Sequence, residues 1–268
     1  MFVANRLQQL ATWLYDTSMG THLDYNQKLN VGIWSVKYLL ENPNVTWEDF
    51  KNQFLTSPCE KLQKVGKNDV TKNAMKNLKT KTGDNKEHAY LLWESNNQIN
   101  DDLYFQSLPN QPGIAFTFDP GDKFVAFIHS HYDDPKLLST FSFDDFLTII
   151  SLKQYGAIKD ENSFVMGVTT GSNTQYYMMI DNPTKFNSFV SRFYENGILN
   201  QKEIDKFGEF YELNVSFKKS TSENENSLVN FLELLGTGIK LFKGDSQMEN
   251  WQALERSSDG TIVAKNCN

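Results

Sequence analysis

Two histidines lie one residue apart at the end of an apolar run, as His129 and His131 of the segment FIHSH. Histidine is the commonest protein ligand for zinc. Residues i and i+2 of an extended segment face the same side, so this spacing can point both imidazoles at one metal ion. The chain has only four histidines, and none follows His131. The pair therefore predicts a metal site at the end of a strand.

A carboxylate is the expected third ligand, because a catalytic zinc site has three protein ligands and one open position. Ten residues separate His131 from the stretch Ser142-Phe-Asp-Asp, which opens a predicted helix. Asp145 would lie in the first turn of that helix, where it can reach back toward the strand end. Ser142 and Asp145 also fit a plain helix cap, with Ser at the N-cap and an acid three residues later. Both interpretations stay open at this stage.

Another carboxylate is needed to accept a proton from the water that the metal activates. Glu87 directly precedes the apolar segment AYLLW, a predicted strand, and is the first candidate. Glu94, at the other end of that strand, is the alternative. Adjacent residues of a strand face opposite sides, so we expect His88 to be a surface residue rather than part of the site.

Together these residues resemble the motif of the JAMM or MPN-type zinc metallopeptidases, which is an upstream Glu, then His-x-His, a spacer, and Ser-x-x-Asp. The resemblance covers about residues 80–185. It implies that Glu87 is the general base and that Ser142 helps to hold the tetrahedral intermediate. It also implies that Zn²⁺ is bound by His129, His131 and Asp145. The ten-residue spacer is longer than is common in that family.

The resemblance implies a zinc-dependent hydrolase of peptide or isopeptide bonds, with a protein or peptide as its substrate. The alternative is a catalytically inactive MPN-like scaffold or interaction module in a larger phage, secretion or toxin-related assembly, since the same family contains such modules. Retention of all five motif positions favours the enzyme. Amidohydrolase barrels and PHP-type phosphoesterases also use His-x-His, but they need further histidines downstream, which this chain lacks.

The predicted strands and helices that must position these residues indicate an α+β fold. This would be an α/β sandwich whose central mixed β-sheet has flanking helices, similar to MPN/JAB and cytidine-deaminase-like folds. Apolar runs and turn residues predict strands at 89–93, 113–118 and 123–128 and a hairpin over 163–180. Helical spacing predicts helices at 143–155, 186–194, 202–213 and 228–235.

Three regions are expected along the chain: an N-terminal helical region (1–65), a metal-binding domain (80–195) and a C-terminal helical extension (196–268). Helical spacing within 7–14, 33–40 and 46–54 supports the first region. Residues 60–86 are rich in Lys, Asn and Thr, and we interpret them as a linker or an exposed helix.

Composition limits the partners and the chemistry. With 26 basic and 33 acidic residues the net charge is −7, which argues against nucleic acid as a partner. We find no signal peptide and no membrane-spanning run, so a cytoplasmic location away from the membrane is expected. Cys59 and Cys267 are far apart and outside any CxxC pattern, so neither a disulfide framework nor a cysteine zinc site is expected. The sequence does not predict an oligomeric state.

Overall fold

The computed structural model describes residues 56–257 and 259–267. The chain divides into two units, residues 1–57 and 58–268, and only the second is described below. The three helices predicted within residues 1–57 lie outside the described residues.

A mixed eight-stranded β-sheet forms the centre of this unit. Its first five strands are β1 (His88–Ser95), β2 (Gln98–Gln106), β3 (Phe124–His131), β4 (Val165–Thr170) and β5 (Gln175–Ile180). Strands β6 (Tyr194–Glu195) and β7 (Ile198–Leu199) form a separate hairpin, and β8 (Ile239–Gly244), β9 (Trp251–Arg256) and β10 (Ile262–Asn266) complete the large sheet. The order across the sheet is β10-β9-β8-β5-β4-β3-β1-β2, in which β3 and β4 are parallel and the other neighbours antiparallel.

Helices cover both faces of the sheet. They are α1 (Pro58–Lys64), α2 (Asp69–Thr80), α3 (Phe143–Gln154), α4 (Pro183–Val190), α5 (Gln201–Asn214) and α6 (Thr221–Leu234). Residues of α1 and α2 share one apolar cluster with one face of the sheet, while residues of α3 to α6 share a second cluster with the other face. All eight residues of β3 are buried, as expected for a central strand with helices on both sides. The predicted α+β class, with a mixed central sheet and flanking helices, is confirmed.

The strand predicted at 113–118 is wrong, because that segment forms neither helix nor strand. Strand β1 pairs with β3 on one side and on the other with β2, which the sequence patterns do not predict. Asn96 and Asn97 both have positive φ, 50° and 59°, and connect the two strands in a tight turn. Because β2 is an edge strand with mostly exposed or half-buried residues, its polar sequence carries little apolar periodicity.

Of the two interpretations of the stretch 60–86, the linker is wrong, and the segment is helical but only partly exposed. It contains most of α1 and all of α2, and one face of α2 is buried through Thr71, Ala74, Met75 and Leu78. The many lysines lie mainly on the other side of the helix, which is why composition alone suggested an exposed segment.

The prediction of a purely helical C-terminal extension is wrong, because β8, β9 and β10 join the central sheet. The predicted helix at 202–213 corresponds to α5, but the one at 228–235 begins earlier, at Thr221. A capping box between Ser220 and Glu223 starts α6 inside the polar stretch that precedes the apolar residues. The helix predicted at 186–194 is α4, which begins at Pro183 and ends at Val190.

A disulfide joins Cys59 in α1 to Cys267, which follows β10. The two residues are 208 positions apart in sequence, yet their Cα atoms are 4.9 Å apart, within the usual range for a disulfide. This bond departs from the sequence-based expectation for the cysteines, since distance along the chain says nothing about distance in the fold. Within the described residues, no helix has the length and apolar character needed to cross a membrane.

Candidate metal centre

His129 and His131 both lie at the end of β3 and point to the same side of the sheet. Their side chains are buried, and their Nε2 atoms are 3.2 Å apart. The two rings share a face because strand residues i and i+2 do so. The geometry that the His-x-His spacing predicted is therefore present.

Asp145 reaches these histidines from the first turn of α3. Its Oδ1 atom is 2.9 Å from Nε2 of His129, and its Oδ2 atom is 3.7 Å from Nε2 of His131. The same carboxylate completes a capping box, because its Oδ2 accepts the backbone N–H of Ser142 at 2.6 Å and the Ser142 hydroxyl at 3.0 Å. The helix cap and the histidine contact are thus two uses of one side chain rather than alternatives.

The spacing of these three side chains suits a small tetrahedral metal ion. Bonds of about 2.0–2.1 Å at tetrahedral angles place neighbouring ligand atoms roughly 3.3 Å apart. The observed separations of 2.9 Å, 3.2 Å and 3.7 Å lie on either side of that value. In the part of the chain that the structure describes, no other group of three His, Cys, Asp or Glu side chains comes this close together.

A backbone carbonyl fixes the ring of His131. The Nδ1–H of His131 donates to the carbonyl oxygen of Leu138 at 3.0 Å, which leaves Nε2 as the nitrogen available for a ligand bond. Nδ1 of His129 is buried and has no hydrogen-bond partner among the described residues.

The three side chains form a strongly interacting group of charges. Burial alone would lower the pKa of His131, but the nearby charge of Asp145 outweighs it and raises that pKa to about 9. Burial would raise the pKa of Asp145, yet the charge and close contact of His129 and the proximity of His131 hold it well below its ordinary value. Without a metal, a carboxylate and a protonated histidine therefore stabilise one another.

Glu87, the residue directly before β1, lies on the same side of the sheet as the two histidines. Ala89 pairs directly with His129 in the sheet, and Glu87 lies two residues before Ala89 on the same face. Its side chain is buried, its Oε2 accepts the backbone N–H of Gly113 at 2.8 Å, and its charge contributes to the raised pKa of His131. Glu94 lies at the other end of β1 and pairs with Lys159 at 2.9 Å. Of the two candidate bases, the structure brings Glu87 to the histidines.

An open groove of about 920 Å³ leads to this group, and Glu87, His129, His131, Ser142 and Asp145 all line it. One wall comes from the irregular segment Pro112 to Ala115, and another from the end of α5 and the residues after it, including Tyr211 and Phe217. A metal held by the three side chains would consequently face a space large enough for several amino-acid residues or a comparable ligand.

Sequence reasoning missed the contributions of Gly113, Leu138 and Tyr211. The first two act through backbone groups, which carry no side-chain signal. The Tyr211 hydroxyl donates to the carbonyl oxygen of Phe141, from a helix assigned beforehand to a separate extension. The expectation of a surface His88 was wrong. His88 is buried on the opposite face, with Nδ1 at the hydroxyl of Tyr104 and Nε2 2.9 Å from Asp84.

Comparisons of this chain with protein-family models, with curated proteins and with solved structures found no match in any of the three.

Proposed function

We propose that this protein is a zinc-dependent hydrolase of peptide or isopeptide bonds with a JAMM-like active site on an MPN/JAB-like fold. The observation that carries the proposal is the convergence of His129, His131 and Asp145 at ligand spacing, with Glu87 on the same face of the sheet. The spacing of these residues in the sequence matches the motif independently of their distances in the fold. A coincidental helix cap would not require Asp145 to lie against two histidines.

Each residue has a role that its contacts support. His129, His131 and Asp145 would hold the metal, and zinc would supply the Lewis acidity that lowers the pKa of water and polarises a carbonyl group. Glu87 would accept a proton from water in the groove. The Gly113 N–H donates to its carboxylate and fixes the position of that group. The Ser142 hydroxyl now donates to Asp145, and rotation about its χ1 bond would present that proton to a substrate oxygen.

The competing proposal is a scaffold that uses the same fold without a metal. The raised pKa of His131 and the lowered pKa of Asp145 are also those of a hydrogen-bonded ion pair. Such a pair would stabilise the start of α3 by itself. The open groove in front of the pair favours the enzyme, because a purely structural ion pair has no need of an accessible cavity.

The disulfide indicates the compartment in which the protein works. Disulfides persist in oxidising environments and are rare in the cytoplasm of mesophilic cells. The Cys59–Cys267 bond therefore favours an oxidising compartment over the cytoplasmic location expected from the sequence. The proposed substrate remains a protein or peptide. The net charge of −7 favours one with a basic surface.

Zinc content of the purified, untagged protein is the decisive measurement. We expect near-stoichiometric zinc by elemental analysis in the wild type and none in Asp145→Ala. Glu223→Ala is the matched control, because Glu223 is the N3 acid of the capping box on α6, where no histidine contacts it among the described residues. It should lose a similar helix cap and keep its zinc.

Absence of zinc from the wild type, even after incubation with the metal, would contradict the proposed function and leave the scaffold. Equal loss of zinc from Asp145→Ala and Glu223→Ala would attribute the loss to general destabilisation. Zinc lost from Asp145→Ala alone would justify a screen of peptide and isopeptide substrates, with Glu87→Gln as the inactive reference.

A further inference from the structure

The loop between the second histidine and α3, residues 132–141, is held by hydrogen bonds to its carbonyl oxygens. The Leu138 carbonyl accepts the Nδ1–H of His131 at 3.0 Å. The next carbonyl, that of Ser139, accepts the hydroxyl of Thr174 at 2.6 Å. Two adjacent loop carbonyls therefore connect a ligand ring to a threonine on another element.

Thr174 lies in the turn between β4 and β5. It is buried, and its hydroxyl contacts that of Thr170 at 2.6 Å, at the end of β4. Because the Thr174 proton goes to Ser139, Thr170 is the donor between the two hydroxyls. Backbone bonds also close the turn, from the Thr170 N–H to the Thr174 carbonyl and from the Asn173 N–H to the Thr170 carbonyl, both at 3.0 Å. The turn is thus a rigid support for the Thr174 hydroxyl.

The same turn packs against the first residues of the loop. The Gly171 N–H donates to the His131 carbonyl at 3.2 Å. A Cβ atom at Gly171 would lie 2.5 Å from the Cα atom of Asp133, so only glycine allows this approach. The turn therefore contacts the loop at both ends, near Asp133 and at Ser139.

We propose that Thr174 is a positioning residue for the metal centre. Its hydroxyl holds the Ser139 carbonyl, and this fixes the adjacent Leu138 carbonyl where it receives the Nδ1–H of His131. That contact sets the ring orientation and directs Nε2 toward Asp145 and the metal. A spacer of ten residues needs such an anchor, because a longer loop has more conformations from which the Leu138 carbonyl must be selected. The metal-binding part of this role rests on the proposed function.

Three variants test the role. Thr174→Val removes the hydroxyl and keeps the shape, and Thr174→Ser restores a hydroxyl. Thr237→Val is the matched control, since Thr237 is buried and its hydroxyl donates to the Leu232 carbonyl at 3.1 Å, on the segment between α6 and β8. It should lose a comparable hydrogen bond without affecting the site.

Two readouts are measured for each variant: the zinc dissociation constant, by competition with a chelator, and the Hδ1 proton of His131, by ¹H–¹⁵N correlation in metal-free protein with labelled histidine. We expect Thr174→Val to bind zinc about 10- to 100-fold more weakly, as is typical when a residue that orients a ligand is removed. Its Hδ1 signal should exchange with water and broaden. Thr174→Ser and Thr237→Val should resemble the wild type in both readouts.

Wild-type zinc affinity together with a sharp Hδ1 signal in Thr174→Val would overturn the proposal, as would an equal loss of affinity in Thr237→Val. If the wild type binds no zinc, the proposed function fails, and the Hδ1 signal of the metal-free protein still decides whether Thr174 positions His131. If Thr174→Val does not fold, Thr174→Ala, which also removes the hydroxyl that holds the Ser139 carbonyl, is measured in its place. A change in the same direction supports the role, and no change overturns it.

Discussion

The backbone N–H of Ser142 donates to Oδ2 of Asp145 at 2.6 Å, while Oδ1 of the same carboxylate lies 2.9 Å from His129. A second pair, Ser220 and Glu223, forms the same capping box at the start of α6, with the Ser220 N–H 2.8 Å from the Glu223 carboxylate. Ser142 and Asp145 line the groove, whereas neither Ser220 nor Glu223 does. The protein thus contains its own control for separating a helix cap from a functional residue.

Replacement of the capping serines should distinguish the two roles. Ser142→Ala and Ser220→Ala should each lower the free energy of unfolding by about 1 kcal/mol, because each removes a side-chain cap. We expect only Ser142→Ala to reduce the rate of hydrolysis at saturating substrate as well. Denaturant unfolding and steady-state kinetics on the two variants check this, and equal kinetic effects would remove Ser142 from the site.

The two ligand histidines should be indispensable for metal binding. His129→Ala and His131→Ala each leave two of the three ligands, so we expect zinc to be lost from both during dialysis. His88→Ala is the control, because His88 is equally buried but lies on the opposite face of the sheet. Elemental analysis after dialysis decides the matter. Zinc retained by either ligand variant, or lost from His88→Ala, contradicts the assignment.

Glu87→Gln should separate metal binding from catalysis. Glutamine keeps an oxygen that can accept the Gly113 N–H, so the geometry around residue 87 should persist. Loss of a general base lowers the rate by about 10²- to 10⁴-fold, and zinc content should not change. Glu94→Gln, at the Lys159 ion pair, should retain full activity. A fully active Glu87→Gln protein would mean that the base lies elsewhere.

Zinc binding should tighten as the pH rises toward 9. In the metal-free protein burial lowers the pKa of His131, but the nearby charge of Asp145 raises it to about 9 overall. The ring therefore carries a proton at neutral pH, and zinc must displace that proton to bind Nε2. The zinc dissociation constant should fall about tenfold per pH unit between roughly pH 7 and 8.5, since one proton is released.

Calorimetry in two buffers with different ionisation enthalpies counts the released protons. The contribution of protonated His131 to the stability of the metal-free fold also decreases as the pH rises. It is fully present below 6.5, the ordinary pKa of a histidine side chain, and is lost as the pH rises through about 9. A dissociation constant that does not vary between roughly pH 7 and 8.5 would contradict the assigned ion pair.

Reduction of the disulfide should destabilise the described unit without removing the metal. Closing a loop of this length destabilises the unfolded chain by roughly 5 kcal/mol in the chain-entropy account. We expect the double variant Cys59→Ser/Cys267→Ser to unfold at lower denaturant concentration and to keep its zinc, because neither cysteine is among the proposed ligands. Thiol titration under denaturing conditions should find no free cysteine in the oxidised wild type.

The site could be predicted from the sequence because its parts lie at the ends of short, recognisable elements. The two histidines share one strand, and Asp145 follows within the first turn of the next helix. Glu87 precedes a strand with strong apolar character, and that strand happens to pair with β3. Local pattern was sufficient to select these four residues because each lies at or next to the end of a predicted strand or helix.

The rest depended on contacts that local pattern does not encode. Strand β2 is polar because it forms an edge of the sheet, and it is defined by its pairing with β1. Thr174 and Gly113 support the site from turns and loops, through single hydrogen bonds. The bond between Cys59 and Cys267 joins two positions that only the complete fold brings together.

That disulfide also changes what a single cut in the backbone would do. Any one cleavage between Cys59 and Cys267, for example at the exposed Asn196–Gly197 turn of the small hairpin, would leave both fragments covalently attached. Such a nicked molecule would run as one species until it is reduced, and its fragments could not diffuse apart in an oxidising medium. Proteolytic cleavage of this protein would therefore be detected only after the disulfide is reduced.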